Sequence, residues 1–265
     1  MVLSHGRGSY VWDTDGRKYL DFTAGIAVNA LGHADDGVVK VRPSVHAPIM
    51  NDDGPCWQVL HEQAAKIIHT SNVFNNEWAP RLAERLVTLT KTEGGLGYEV
   101  GGGSPTTNLP DAKVFFANSG TEANEGALKI ARKVGKDRWA AAAPGRTWDS
   151  KACNRTKIVC FENSFHGRSM GALSVTSNKK YQQPFEPLLP GVEVCKLNDF
   201  EGVEKAVNEE TCAVIVEPIQ GEGGIHVATE SWLRFLRKRC DQVGATLIFD
   251  EIQVSTVRLC SSHRQ

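Results

Sequence analysis

"TCAVIVEP" (Thr211–Pro218), "SWLRFLRKRCDQVG" (Ser231–Gly244) and "ATLIFDE" (Ala245–Glu251) stand in a row within a chain of 265 residues. The outer two are short β-branched, apolar runs. The middle one repeats its apolar residues at the spacing of one helix face. A strand, an amphipathic helix and a second strand in this order read as a parallel crossover unit. The same rhythm extends upstream. "AKVFFAN" (Ala112–Asn118) reads as a strand and "SGTEANEGALKIARKVG" (Ser119–Gly135) as a helix. "TKIVCFEN" (Thr156–Asn163) and "GVEVCKL" (Gly191–Leu197) read as strands, with "DFEGVEKAVN" (Asp199–Asn208) a helix after them. The fold class is therefore α/β: a mainly parallel sheet with helices on both faces.

Nearer the start, "SYVWDTDGRKYLDF" (Ser9–Phe22) reads as a hairpin, two alternating runs flanking Asp15-Gly16. "TEGGLGYEVGGGSPTTN" (Thr92–Asn108) reads as a surface loop. Its glycines neither follow a strand nor open a helix, so it is a poor dinucleotide fingerprint. "VRPSVHAPIMNDDGPCWQ" (Val41–Gln58) interrupts what would otherwise read as one amphipathic helix, and is either an insert or a surface loop.

Composition excludes several classes. A net charge of −1, with 23% charged residues, shows no basic bias towards nucleic acid. No apolar run approaches the ~18 residues needed to span a bilayer. The seven cysteines include no C-x-x-C pair. Cys160, Cys195 and Cys212 lie in strand-like runs and read as buried free thiols, which suits a reducing compartment. No His/Cys cluster has metal-ligand spacing, so no metal is expected.

The unusual residues gather where the strands would end. Ligands of open parallel sheets bind at the carboxyl ends of the strands. "FFANSGTE", "FENSFHGR", "VEPIQGEGG" and "FDEIQ" occupy four such positions. Ser119, Gly120 and Thr121 open a helix, as an anion cradle, as a cap, or as both. Phe165 offers a ring face and Arg168 a fork for a carboxylate, alternatively a core ring and a solvated cation. Glu217 and Glu222 flank a glycine-rich turn, and need partners only if buried. Asp250 follows "LIF" directly; it is either a buried acid that needs a cation or a helix N-cap. A phosphate cradle, a stacking ring, an arginine and a buried Asp are together what pyridoxal phosphate requires.

"LDFTAGIAVNALGHA", "FFANSGTEANEGALKIARK", "FENSFHGRSMGALS", "VEPIQGEGG" and "LIFDEIQ" resemble the class III pyridoxal-phosphate aminotransferases. The resemblance covers most of residues 8–253 except 41–58. It implies fold type I, with residues 1–70 in a small α+β domain and 71–265 in a large cofactor domain holding a seven-stranded sheet. It further implies pyridoxal 5'-phosphate, a homodimer, and amino-acid and 2-oxo-acid substrates. N2-acetyl-L-ornithine with 2-oxoglutarate is the expected pair, and ornithine or 4-aminobutyrate the alternative donors. Cofactor binding then falls on Ser119, Gly120, Thr121, Phe165, His166, Glu217, Asp250 and Gln253. Substrate contacts fall on Arg168 and Glu222, with Ser71, Asn72 and Thr23–Ile26 at the substrate entrance. A mitochondrial location is implied, with the cytoplasm otherwise.

Two segments depart from that pattern. "VSTVRLCSSHRQ" (Val254–Gln265) stands where the family continues into a glycine-containing loop and, later, the lysine that holds the cofactor. The expectation is a chain truncated before that lysine and inactive alone. A non-catalytic isoform that binds only the cofactor or a partner subunit is the competing class. A nicotinamide-dependent oxidoreductase is a third, and lacks its glycine fingerprint. Both departures open on Val, at Val41-Arg42 and Val254-Ser255, as retained introns would.

Overall fold

The structure, a computed structural model, describes residues 2–27, 29, 31–35, 62–70, 74, 76–93 and 112–253. The segment 41–58, most of the Gly-rich loop, Ser71, Asn72 and residues 254–265 lie outside the described residues. The chain divides into two compact units, Met1–Phe115 and Phe116–Gln265. The domain boundary expected at residues 70 and 71 falls inside the first unit and is left as an expectation.

In the first unit, strands β1 (Leu3–Arg7), β2 (Tyr10–Asp13) and β3 (Lys18–Leu20) form an antiparallel sheet in that order. The β2–β3 hairpin is the one expected at Asp15-Gly16. Gly16 takes φ +78°, a conformation that side chains with a Cβ rarely adopt. Asp13 is buried and holds the turn, its carboxylate accepting from the amides of Asp15 and Arg17 and from the Tyr19 hydroxyl. Strand β1 was not anticipated. The unit also contains a single turn α1 (Ala24–Ala27) and a helix α2 (Trp78–Glu93).

The second unit carries the parallel sheet. Strands β4 (Lys157–Phe161), β5 (Val192–Cys195), β6 (Thr211–Val216) and β9 (Thr246–Phe249) are ordered β5-β4-β6-β9, all parallel. A two-residue pair, β7 (Ile219–Gln220) with β8 (His226–Val227), follows β6. Successive side chains of a strand point to opposite faces. Val159, Phe161, Val214 and Val216 thus join one core cluster, with Trp232, Leu236 and Cys240 of helix α7 (Glu230–Val243) and Val203 of α6 (Phe200–Ala206). Ile158, Cys160, Ala213 and Ile215 join the other, with Leu128 and Ala131 of helix α3 (Gly120–Ala141) and Val175 of α4 (Met170–Val175). Helices therefore cover both faces. Helix α7 ends where Gly244 turns left-handed at φ +70°. Helix α3 crosses β6 closely because Gly135 has no side chain; a Cβ there would lie 2.7 Å from Cys212 Cβ.

Cys160, Cys195 and Cys212 are buried free thiols, and burial pushes the first two up to about 12 and about 11. One strand reading fails. Residues 112–117 are not a strand, and Phe115 and Phe116 are 67% and 46% exposed. The run has strand composition, but no ladder partner pairs with it among the described residues. No helix among the described residues is long and apolar enough to cross a membrane. No group of three or more metal-ligating side chains occurs among them either.

Candidate active site

Strands β4, β6 and β9 are neighbours and parallel, so their carboxyl ends share one edge of the sheet. The loop 162–169 leaves β4, Glu217 follows β6 and Asp250 follows β9. The Asp250 amide donates to Val216 O at 2.8 Å, which extends the β6–β9 ladder by one step and fixes the carboxyl at the strand end.

Asp250 is 8% exposed. Its Oδ2 accepts from Asn124 Nδ2 at 2.9 Å and faces His166 Nδ1 at 2.8 Å, and its Oδ1 accepts from the Ile252 amide at 3.1 Å. Burial by itself pushes this carboxyl up. The hydrogen bond and charge of His166, with the Asn124 and Ile252 donors, outweigh it and hold the carboxyl below its ordinary value. Asp250 is thus a buried acid with built partners, the first of its two sequence readings. His166 is held in turn: its amide donates to Thr176 Oγ1 at 2.9 Å, and its carbonyl accepts from Asn124 at 2.7 Å. Glu217 is buried and accepts from the Phe165 amide at 3.0 Å. Burial pushes its carboxyl up against that N–H, and the charge of Asp250 adds to the push.

Helix α3 begins one turn from this carboxyl, since Asn124 follows Gly120 by four residues. Ser119 is its N-cap, with Oγ accepting from the Glu122 amide at 3.4 Å, while Ser119 O accepts from the Ala123 amide. The amides of Gly120 and Thr121 are left at the helix end without a helical partner, beside the positive end of the dipole. Cap and anion cradle therefore coexist in these three residues. The Thr121 hydroxyl contacts Ser169 Oγ at 2.7 Å, which brings the helix end against the loop after β4. Gly167 lies against Thr121 at φ +129°, and a Cβ there would overlap the Thr121 side chain.

Phe165, Glu222 and Tyr181 line a cleft of about 650 Å³ in this unit. Phe165 meets Tyr181 edge to face, with centroids 6.3 Å apart. The Arg168 guanidinium is exposed and lies 4.3 Å over the Tyr181 ring. The Tyr181 hydroxyl donates weakly to Glu222 Oε1 at 3.5 Å. Gln253 lies against the Gly221 turn, with its side-chain oxygen where a Cβ on Gly221 would stand. The predicted residues of this unit thus gather at one sheet edge, whereas Ser71 and Asn72 lie outside the described residues.

Three contributors were not foreseen. Asn124 ties Asp250 to the β4 loop. Glu125 accepts from Ser169 Oγ and from the Gly171 and Ala172 amides, capping α4. Tyr181 joins Arg168 to Glu222. Nothing in the spacing along α3 marks the first two; the fold alone turns them towards Asp250 and the loop after β4.

Residues 1–51 and 54–258 match the family model described as aminotransferase class-III. The chain is 47% identical to the mitochondrial acetylornithine aminotransferase of Yarrowia lipolytica over 253 residues, covering 96% of this chain and 51% of that protein. It is 40% identical to the acetylornithine aminotransferase of Aquifex aeolicus, covering 96% and 54%. Among solved structures, the ornithine aminotransferase of Toxoplasma gondii superposes with a TM-score of 0.72 at 27% identity, covering 96% and 49%. The N-acetylornithine aminotransferase of Stenotrophomonas maltophilia superposes at 0.63 and 32% identity, covering 96% and 51%. The chain spans about half the length of the curated relatives it matches.

Proposed function

The chain belongs to the class III aminotransferases, and from that premise we propose that the protein carrying it transfers an amino group between N2-acetyl-L-ornithine and 2-oxoglutarate, with pyridoxal 5'-phosphate as cofactor. One observation carries the proposal. A buried carboxylate, Asp250, is kept ionised one helical turn from the two uncommitted amides of Gly120 and Thr121. A flat cofactor with a protonated ring nitrogen and a phosphate needs that pair of sites, one anionic and one built of N–H groups. The residues present fit it.

The amides of Gly120 and Thr121 would hold the phosphate. Asp250 would keep the ring nitrogen protonated, which makes the ring an acceptor for the electrons released at the amino-bearing carbon. His166 and Asn124 act through Asp250 by holding its carboxylate in place and charged. Phe165 would cover the ring, with Gln253 and Glu217 at its margin. Arg168 would take the substrate carboxylate with its fork of N–H groups, and Glu222 would line the substrate side. Ser71 and Asn72 would line the substrate entrance, and a homodimer is the proposed assembly. The relatives from Yarrowia lipolytica and Neurospora crassa are named mitochondrial, which supports a mitochondrial location.

The donor rests on the relatives' names and their 40–47% identity. Ornithine is the second reading, favoured by the superposition on the Toxoplasma gondii enzyme. The protein carrying these residues is assayed with 2-oxoglutarate and each of N2-acetyl-L-ornithine, L-ornithine and 4-aminobutyrate. The highest kcat/KM is expected for the acetylated donor. Preference for ornithine moves the assignment to the second reading, and turnover of none of the three refutes transamination.

A further inference from the structure

Resting on the transaminase reading above, we infer that Tyr181 is a positioning residue that sets carboxylate recognition by holding the Arg168 guanidinium over its ring.

Arg168 is exposed, and an exposed arginine samples many rotamers unless something holds it. The Tyr181 ring is what the structure places under it, with Arg168 Cζ 4.3 Å from the ring centroid. A stacked guanidinium uses its π face against the ring and keeps its N–H edges free, as two-pronged carboxylate binding requires. Tyr181 is itself fixed on three sides. Phe165 meets it edge-on at 83°. Its hydroxyl reaches Glu222. Its backbone stands in α5 (Lys179–Gln182), which the Asn178 side chain caps by accepting from the Lys180 amide at 3.0 Å. The stack therefore links the ring proposed to cover the cofactor to the arginine proposed to take the substrate. A preordered fork lowers the entropic cost of binding a carboxylate.

The test is steady-state kinetics on Tyr181→Leu, Tyr181→Phe and Arg168→Lys in the protein carrying these residues. Tyr181→Leu removes the ring; the expected result is a KM for N2-acetyl-L-ornithine raised about three- to tenfold with kcat within about twofold, the pattern of lost uniform binding. Tyr181→Phe keeps the ring and is expected to stay within about twofold of wild type in both constants. Arg168→Lys raises KM, and adding Tyr181→Leu to it should raise it little further, because the fork is already gone. An amine donor without a carboxylate should show the same KM in wild type and Tyr181→Leu. A merely structural tyrosine would move kcat or cofactor retention instead. An active wild type whose KM is unmoved by Tyr181→Leu, or a Phe variant as impaired as the Leu variant, overturns the inference alone. Should Tyr181→Leu fail to fold, Tyr181→Met takes its place, keeping bulk without a ring, with the same rise in KM expected and an unmoved KM overturning the inference. A wild type without transaminase activity removes the proposed function and this inference with it.

Discussion

His166 Nδ1 lies 2.8 Å from Asp250 Oδ2, with both side chains buried and β6 running between the strands that deliver them. Eighty-four residues separate the two in sequence. Asn124 Nδ2 contacts the same carboxylate oxygen and the His166 carbonyl, so three segments of the second unit converge on one charge. Breaking a buried pair by removing one partner is costlier than the pair is stabilising, because the remaining charge is stranded. The arrangement is therefore sensitive to small chemical changes that leave its shape intact.

Asp250→Asn is the smallest such change. The amide keeps the volume and can still accept from the Ile252 N–H, but it carries no charge. Transamination is expected to fall at least about a hundredfold, the scale of losing one preorganised electrostatic contact to the reacting system. Cofactor affinity should fall with it. Both are read by activity assay and by the absorbance of retained cofactor. Turnover near wild type would reduce Asp250 to a strand-end cap.

Glu217 gives a pH dependence of definite sign. Its folded-state pKa is raised above the ordinary 4.5, with burial the leading cause. The protonated form is favoured in the folded state, so its contribution to stability is fully present below about 4.5 and is lost as pH rises through the folded value. Glu217→Gln is neutral at every pH and still accepts from the Phe165 amide. The midpoint of thermal unfolding of the variant, relative to wild type, should therefore climb between pH 4 and pH 7. A flat difference across that range would contradict the raised pKa.

Two glycines separate backbone from side-chain crowding. A Cβ on Gly223 would overlap Asn163 O, a backbone atom in the loop after β4. Gly223→Ala should displace that loop and cost about 1–3 kcal/mol of stability, with activity reduced alongside. A Cβ on Gly120 would lie 2.6 Å from Ile252 Cδ1, the tip of a side chain that is 39% exposed and has room to turn. Gly120→Ala, at a helix's first position, should cost less than about 1 kcal/mol. Urea denaturation ranks the two, and equal losses would mean that Ile252 is held as rigidly as the backbone.

Much of this was readable in the sequence because strands and helices announce themselves by period. "TCAVIVEP" and "ATLIFDE" are apolar on both faces, and they deliver Glu217 and Asp250 to one sheet edge, the first as an inner strand and the second as the outermost described one. "AKVFFAN" has the same composition and is not a strand, since pairing is a tertiary property that composition does not contain. Asp250 at a buried strand end was legible from the apolar residues before it; its partner Asn124 was not. A lone Asn inside a helical run reads as a surface residue, and only the folded crossing of α3 over β9 turns it inward. Tyr181 sits in the polar run "SNKKYQQPF", where nothing but the fold brings it under Arg168.

Asn124 is also the position where charge and hydrogen bonding come apart most clearly. Asn124→Ala removes donors to Asp250 Oδ2 and His166 O and should cost about 1–3 kcal/mol. The Asn124 donor helps hold the Asp250 carboxyl down, so the loss is constant where that carboxyl is charged and shrinks only as pH falls through its folded value. Asn124→Asp places a second carboxylate where the amide stood, 2.9 Å from Asp250 Oδ2. Two carboxyls at that distance share one proton, so the pair titrates well above the ordinary value of 3.8. In the wild type the depressed Asp250 contributes stability above about 3.8 that is lost as pH falls. In Asn124→Asp the sign inverts: stability is greatest at low pH and is lost as pH rises through the raised value. Unfolding midpoints measured from pH 4 to pH 8 should therefore show Asn124→Asp diverging downward from wild type while Asn124→Ala runs parallel to it. Cofactor retention in the Asp variant should weaken over the same interval, since the added charge destabilises the site that holds it. Parallel curves for the two variants would mean that Asn124 does not face Asp250.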